Sequence, residues 1–299
     1  MMGATGDTYI QLRIVDTYIR EKRISNYVLT GHPNGIDELL SLFPDKKFYE
    51  IRDYSAKAIQ KAYMLLEKEY LNITIMFPWI YDLYINRCRI RMTEKFDFMD
   101  TYQWYVLNLK TKVQLAKPIF LPLSENLEKK YEQLGIKRGR TIILAPEANS
   151  VTSLTCEDWI EIITVLKKLG YEVFINAKAD KYGCKSIFIT YYESEALLSY
   201  AGYFIGIRSG LCDIISTIKC KKIIIYPQKS ERVNYSEHRS EIDFCGLKTM
   251  GLVDKENSDV VEIETRLIRN ITDMPLEMME TNKYFGEIDR LKKQIIESL

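Results

Sequence analysis

The chain has 299 residues, of which 46% are hydrophobic and 28% are charged, which is typical of globular proteins and excludes a disordered, collagen-like or coiled-coil chain. This length allows one large α/β domain or two domains. Lysine and arginine number 42 against 41 aspartates and glutamates, so the net charge is +1. A nucleic-acid binder normally has a basic excess, so we expect no nucleic-acid partner.

Cysteine and histidine usage argues against a metal site. The six cysteines form no C-x-x-C pair and the chain has two histidines, so we predict neither a metal nor another cofactor. The longest apolar stretches fall far short of the roughly 18 residues that a membrane-spanning helix needs. We therefore expect a reduced, cytoplasmic protein. The near-neutral charge leaves peripheral contact with the inner face of the cell membrane open.

Short β-branched or aromatic runs alternate with longer helical patterns, which is typical of βαβ units and a mainly parallel sheet. The first half opens with a glycine-containing turn at residues 3–7 and an amphipathic helix from Tyr9 to about Lys22. Further strands are predicted at 27–30 and 73–77, and helices at 36–43 and roughly 56–70. Two prolines within 117–123 are typical of a connection, so we predict domains at residues 1–122 and 123–299.

The second half has a clearer pattern of elements. Strands are predicted at 141–145, 171–176, 203–207 and 222–226, and helices at 155–169, 193–200 and 211–218. The tail over 279–299 has a helical period and can pack back on the first domain.

The most specific segment runs from an apolar strand through Arg208, Ser209 and Gly210 into a helix. Unpaired N–H groups at the helix start, a hydroxyl and a guanidinium converge there, and together they stabilise an anion such as a diphosphate. A simple N-cap at Ser209 and tight packing at Gly210 explain the same pattern, so both interpretations stay open.

A second candidate segment precedes the first helix. Small residues such as Gly6 let a substrate approach the backbone, and Asp7 can act as a general base for a hydroxyl, with Thr8 beside it in the cleft. An aspartate in the first turn of a helix also simply complements the helix dipole.

A polar loop with Glu147, Asn149 and Ser150 follows the first strand of the second half. Open α/β sheets bind ligands at the carboxyl ends of their strands, so we expect this loop and the turn at Arg208 to lie together. Glu147 can accept hydrogen bonds from sugar hydroxyls, or it is a solvated loop carboxylate with no role.

His32 follows a strand of the first half and is expected to face the same cleft. The sequence has no G-x-S-x-G, no P-loop and no H-E-x-x-H, and its glycine-containing opening lacks G-x-G-x-x-G spacing. These absences remove the simplest hydrolase, kinase, metalloprotease and nicotinamide-dependent interpretations.

Taken in order, these segments resemble bacterial glycosyltransferases of the GT-B fold, in particular the ADP-heptose:lipopolysaccharide heptosyltransferase superfamily (glycosyltransferase family nine). That family opens with a strand, a Gly-x-x-Gly-Asp turn and a helix, similar to residues 3–7 here, and its next strand ends in a Gly-x-Pro turn, similar to residues 31–33. Its second domain has a helix containing Trp, similar to residues 155–169, and an Asp-Thr-Gly-Leu turn, similar to residues 208–211.

The resemblance implies two Rossmann-like domains that face a central cleft. Asp7 matches the catalytic base that deprotonates the acceptor hydroxyl, and Ser209, Gly210 and Leu211 match the turn that binds the diphosphate of a nucleotide sugar. We place Asp213 in the same donor site. The resemblance implies no metal, because helix dipoles and basic side chains stabilise the leaving diphosphate.

Two positions depart from the family. Arg208 stands where the family has Asp, and the usual lysine near Trp159 is absent, with Thr152 and Ser153 in that region. We expect Arg208 to supply the cationic role.

The sequence therefore predicts a metal-independent glycosyltransferase of bacterial surface polysaccharide biosynthesis, which transfers a sugar from a nucleotide-sugar donor to a glycan or lipid-linked acceptor. A nucleotide-sugar epimerase of the same fold and a non-catalytic GT-B-like binding or assembly module are the alternatives. Product analysis with donor alone distinguishes the epimerase, and unchanged function in Asp7→Asn favours the module.

Overall fold

The computed structural model describes residues 5–25, 27, 29, 36–46, 69–70, 73–74, 97–149, 151–227, 240–268 and 286–299. The chain forms two compact units, Met1–Ile119 and Phe120–Leu299. The boundary predicted after residue 122 lies three residues further along the chain than this division.

The described elements of the first unit are mostly helical. They are α1 (Thr5–Lys22), α2 (Ile36–Ser41), the antiparallel pair β1 (Glu69–Tyr70) and β2 (Ile73–Thr74), and α3 (Phe98–Asp100), which continues into a π-helical segment (Thr101–Val106). The strand pair corrects the helix predicted as far as residue 70.

Helix α1 differs from its prediction in where it starts and in which of its faces are buried. The described part of the predicted turn, Thr5–Asp7, is already helical. Residues on all sides of α1 are buried, including Tyr9, Leu12 and Ile14, so the helix is not amphipathic. Their burial outweighs the cost of about 1 kcal/mol for glycine in a helix.

Side chains of α1 fasten it to the extended segment 108–116. The Glu21 carboxylate accepts from the backbone N–H of Lys110 at 2.6 Å and of Thr111 at 3.1 Å. The Thr17 hydroxyl donates to the Gln114 carbonyl at 3.0 Å, and Arg13 Nε donates to the Ala116 carbonyl at 2.9 Å. These bonds satisfy backbone groups of a segment that has no regular structure of its own.

The second unit contains a parallel sheet and the helices that cover it. Its strands are β3 (Thr141–Ala145), β4 (Glu172–Ile175), β5 (Lys185–Ser186), β6 (Gly202–Ile207), β7 (Lys221–Pro227) and β8 (Val260–Thr265). Its helices are α4 (Glu125–Leu134), α5 (Cys156–Lys168), α6 (Ser194–Ala201), α7 (Gly210–Ile214) with a 3-10 turn (Ile215–Thr217), α8 (Glu241–Cys245) and α9 (Glu287–Ser298).

The six strands lie in the order β5-β4-β3-β6-β7-β8, and every neighbouring pair is parallel. The chain starts in the centre at β3, builds outward to β5, and then crosses over to β6 and builds outward in the other direction. This is the 3-2-1-4-5-6 order of dinucleotide-binding folds, in which the direction of winding reverses between β3 and β6. The prediction of an α/β protein with a mainly parallel sheet is confirmed in this unit.

One buried cluster of the second unit lies between this sheet and the helices α5 and α9. Strand β3 is buried at all five positions, as its continuous apolar run predicts for a central parallel strand. Helix α5 begins at a capping box formed by Thr155 and Asp158, and it buries Trp159 and Ile162 against the sheet. The described C-terminal helix α9 buries Leu291 and Ile295 in the same core. The suggestion that this tail packs back on the first domain stays a prediction.

Within the described part of the chain, no helix is long and apolar enough to cross a membrane.

Candidate functional site

The two predicted donor loops leave adjacent strands at the point where the sheet reverses its direction of winding. Ala145, the last residue of β3, pairs with Gly206 of β6, so the loops that begin at Pro146 and Arg208 emerge side by side. The expectation that they share one edge of the sheet is confirmed. In open α/β sheets a crevice forms between such loops, and ligands bind there.

Small residues, Ala145 and Gly206, pair where β3 and β6 end. A Cβ atom placed on Gly206 would lie 2.7 Å from the Phe204 ring and 3.2 Å from the Ala145 Cβ. Since Phe204 is completely buried, its ring has little room to move aside. Glycine at this position therefore lets the ring fold over the strand end.

Ser153 stabilises the loop after β3. Its hydroxyl donates to the Pro146 carbonyl at 2.7 Å and accepts from the indole N–H of Trp159 at 3.0 Å. Trp159 is completely buried in the core. One hydroxyl thus ties the first residue of the loop to the helix that follows it.

Glu147 and Asn149 are both exposed on this loop, whereas the predicted site residue Ser150 lies outside the described residues. Glu147 forms an ion pair with Lys181, which follows β4 and so belongs to the same edge of the sheet. The hydrogen bond to Glu147 raises the pKa of Lys181. The loop therefore presents a carboxylate and an amide to solvent, with the carboxylate paired to Lys181.

The Arg208 guanidinium, in the turn between β6 and α7, binds groups of the protein itself. Its Nη2 lies 2.7 Å from one carboxylate oxygen of Asp213, and its Nη1 donates to the other at 3.0 Å, which makes a two-pronged ion pair. Nη1 also donates to the Ser209 carbonyl at 2.7 Å. The side chains of Arg208 and Asp213 are 15% and 4% exposed. Burial acts to lower the pKa of Arg208, but the charge of Asp213 holds it well above its ordinary value.

The Arg208 guanidinium also reaches the neighbouring strand and helix. Its Nε donates to the Cys245 carbonyl at 3.4 Å, and its centre lies 6.0 Å from the ring centroid of Tyr226 on β7. The Tyr226 hydroxyl donates to Glu262 at 2.6 Å, and Glu262 accepts from the backbone N–H of Leu247 at 2.7 Å. Burial is the main cause that raises the pKa of Tyr226 well above its usual range.

Ser209 and Gly210 form the junction between β6 and α7. Ser209 has extended backbone geometry at the N-cap, but its side chain makes no capping hydrogen bond. Its hydroxyl lies 3.7 Å from the Cys212 sulfur. Ser209 therefore occupies the N-cap position, as the simpler interpretation predicts, but its side chain does not cap the helix. Leu211 and Gly210 are partly exposed on the same turn.

The predicted catalytic residue lies in the first unit. Asp7 is partly buried in the first turn of α1, between the buried residues Gly6 and Thr8. Burial raises the pKa of Tyr102 well above its ordinary value, and the charge of Asp7 raises it further. His32 lies outside the described residues.

Sequence reasoning missed three contributors to the site in the second unit: Ser153, Lys181 and the Tyr226–Glu262 pair. No sequence pattern identifies them, because a serine six residues before a tryptophan, or a lysine in a loop, is not distinctive. Among the described residues, no group of three or more His, Cys, Asp or Glu side chains could hold a metal ion.

Two solved glycosyltransferases have folds similar to that of this chain. The chain is similar to the ADP-heptose LPS heptosyltransferase II of E. coli, with 14% identity, a TM-score of 0.51, and coverage of 99% of this chain and 98% of that one. It is also similar to a family 9 glycosyl transferase from Veillonella parvula, with 10% identity, a TM-score of 0.50, and coverage of 100% and 94%. The protein therefore has a heptosyltransferase-like fold.

No protein-family model matches the sequence, and no curated protein matches it either.

Proposed function

We propose that this protein is a glycosyltransferase that transfers a sugar from a nucleotide-sugar donor to a glycan or lipid-linked acceptor. One observation carries the proposal: in a heptosyltransferase-like fold, two polar loops emerge side by side where the winding of a six-stranded parallel sheet reverses. That position is where open α/β sheets bind nucleotides.

The donor binds between these loops. Glu147, Asn149 and Ser150 accept and donate hydrogen bonds to hydroxyls of the ribose or sugar, and Ser209, Gly210 and Leu211 hold the diphosphate. The exposure of Glu147 and Asn149, and the partial exposure of residues 209–211, support these roles. Lys181 lies on the same edge of the sheet, paired with Glu147.

Asp7 is the general base. It takes the proton from the acceptor hydroxyl as the oxygen attacks the anomeric carbon of the donor, and the nucleoside diphosphate leaves. We propose that Gly6, Thr8 and His32 take part in binding the acceptor. Backbone N–H groups and basic side chains stabilise the charge on the leaving diphosphate, so the reaction requires no metal.

We further propose that both units are Rossmann-like, and that the protein works in the cytoplasm, at the inner face of the cell membrane, in bacterial surface polysaccharide biosynthesis. The heptosyltransferase and family 9 names of the similar structures support this placement.

Thermal unfolding with UDP, GDP, ADP, CMP and dTDP tests the donor site. A ligand at about 100 times its dissociation constant stabilises the folded state by roughly 2.7 kcal/mol, so one nucleotide is expected to raise the unfolding temperature by several degrees. The expected shift is smaller in Glu147→Gln.

Glu172→Gln is the matched control, because Glu172 is also an exposed carboxylate paired with one lysine, Lys137, but begins β4 at the opposite edge of the sheet. We expect it to keep the full shift. If no nucleotide stabilises the wild-type protein, the donor-site proposal fails and the non-catalytic module becomes the better description.

A further inference from the structure

The strongest unassigned feature of the second unit is the buried ion pair between Arg208 and Asp213. We infer that these two are positioning residues, which act on the donor by holding the Ser209–Gly210–Leu211 turn in place, and that Arg208 does not itself contact the diphosphate. This inference rests on the proposed donor site and replaces the expectation that Arg208 supplies the missing cation.

The hydrogen-bonding capacity of Arg208 is directed into the protein. Nη1 bonds both the Asp213 carboxylate and the Ser209 carbonyl, Nη2 pairs with the second carboxylate oxygen, and Nε reaches the Cys245 carbonyl. The facing carboxylate cancels the charge of the guanidinium at 2.7 Å. A neutralised, 15% exposed guanidinium attracts an incoming diphosphate much less than a free one does.

The same contacts join two separate segments. Through Asp213 and the Ser209 carbonyl, Arg208 fixes both ends of the turn between β6 and α7. Through Cys245, it fixes the end of α8, next to the Leu247 N–H that Glu262 binds. Loss of the ion pair is therefore expected to loosen the turn and the 245–248 segment together.

The direction in which one substitution changes nucleotide affinity distinguishes positioning from direct contact. If Arg208 bound the diphosphate, Asp213→Asn would free its positive charge and strengthen nucleotide binding. If Arg208 acts through Asp213, the same change releases the turn and weakens binding. Arg208→Lys keeps the charge but loses the planar fork, so it is expected to weaken binding as well.

The test measures the affinity for the stabilising nucleoside diphosphate in the wild type, Arg208→Lys, Asp213→Asn and the double variant. We expect each single variant to bind about fivefold or more weakly, and the double variant to be little worse than either, because both changes break one unit. Glu172→Gln is expected to bind as the wild type does. Tighter binding by Asp213→Asn, or additive losses in the double variant, would overturn the inference.

Hydrogen exchange of the same proteins without nucleotide gives a second measurement that does not depend on the donor site. Both single variants are expected to exchange faster at residues 209–214 and 245–248, with α5 unchanged. Wild-type exchange at both segments would refute the positioning role. If the variants exchange faster but the wild type binds no nucleotide, the contacts hold the turn in place but the proposed donor site is rejected.

Discussion

At the scale of single residues, the Ser153 hydroxyl shows how the donor loop depends on one polar group. It stands between the Pro146 carbonyl and the indole N–H of the fully buried Trp159. A buried donor left without a partner costs about 1–3 kcal/mol, which is more than the net value of an ordinary hydrogen bond.

Ser153→Ala is therefore expected to lower the free energy of unfolding by about 1–3 kcal/mol and to weaken nucleotide binding, because the loop after β3 loses its anchor. Denaturant unfolding and nucleotide titration measure the two effects. Thr164→Val is the control: its hydroxyl bonds the Ile160 carbonyl on the exposed face of α5, so a change of less than about 0.5 kcal/mol is expected. Equal losses in both variants would show that Ser153 has no special role.

The contacts of single residues were the part of the site least predictable from the sequence. The sequence predicted a turn at Arg208, but not the ion pair that Arg208 forms with Asp213. Its partner Asp213 is five residues away and across a turn, and the ion pair exists because both side chains are buried together. Such pairing depends on the three-dimensional path of the turn, which a local pattern does not specify.

At the scale of elements, the end of strand β6 depends on the glycine at position 206. Gly206→Ala would place a methyl group 2.7 Å from the Phe204 ring. Overpacking of this kind typically costs about 1–3 kcal/mol, and the strand ends that carry both donor loops are expected to shift.

We expect Gly206→Ala to lower both stability and nucleotide affinity, and Phe204→Leu in the same chain to restore part of the stability by making room. Thermal unfolding of the single and double variants measures this. Unchanged stability in Gly206→Ala, or no recovery in the double variant, would mean that the ring contact is not what requires glycine.

Helices and strands were predictable from the sequence where a single sequence pattern identified them. The buried strands β3, β6 and β7 and the capped helix α5 were predicted within a few residues, because continuous apolar runs and a capping box identify them. Strand β8 and helix α8 were missed. In Val260–Thr265, glutamates interrupt the apolar run. One of them, Glu262, accepts from backbone N–H groups of the chain that follows α8. The start of α1 was placed too late, because burial of the helix outweighed the turn preference of Gly6.

At the scale of the whole molecule, the α/β class, a parallel sheet and a heptosyltransferase-like fold were all predictable from the sequence. The order of weak motifs along the chain carried that prediction. The sheet explains why the order of the motifs matters. The two proposed donor loops lie about 60 residues apart in the chain, and they come together only because β3 and β6 are neighbours.

The proposed reaction is sugar transfer with Asp7 as the base. The most direct measurement is acceptor-dependent release of nucleoside diphosphate from nucleotide sugars by the wild type and by Asp7→Asn, with Asp45→Asn, an exposed aspartate of the same unit, as the control. We expect turnover by the wild type and the control, and a loss of about 100-fold or more in Asp7→Asn with nucleotide affinity retained. Full activity in Asp7→Asn, or nucleotide binding without any turnover in the wild type, would contradict it.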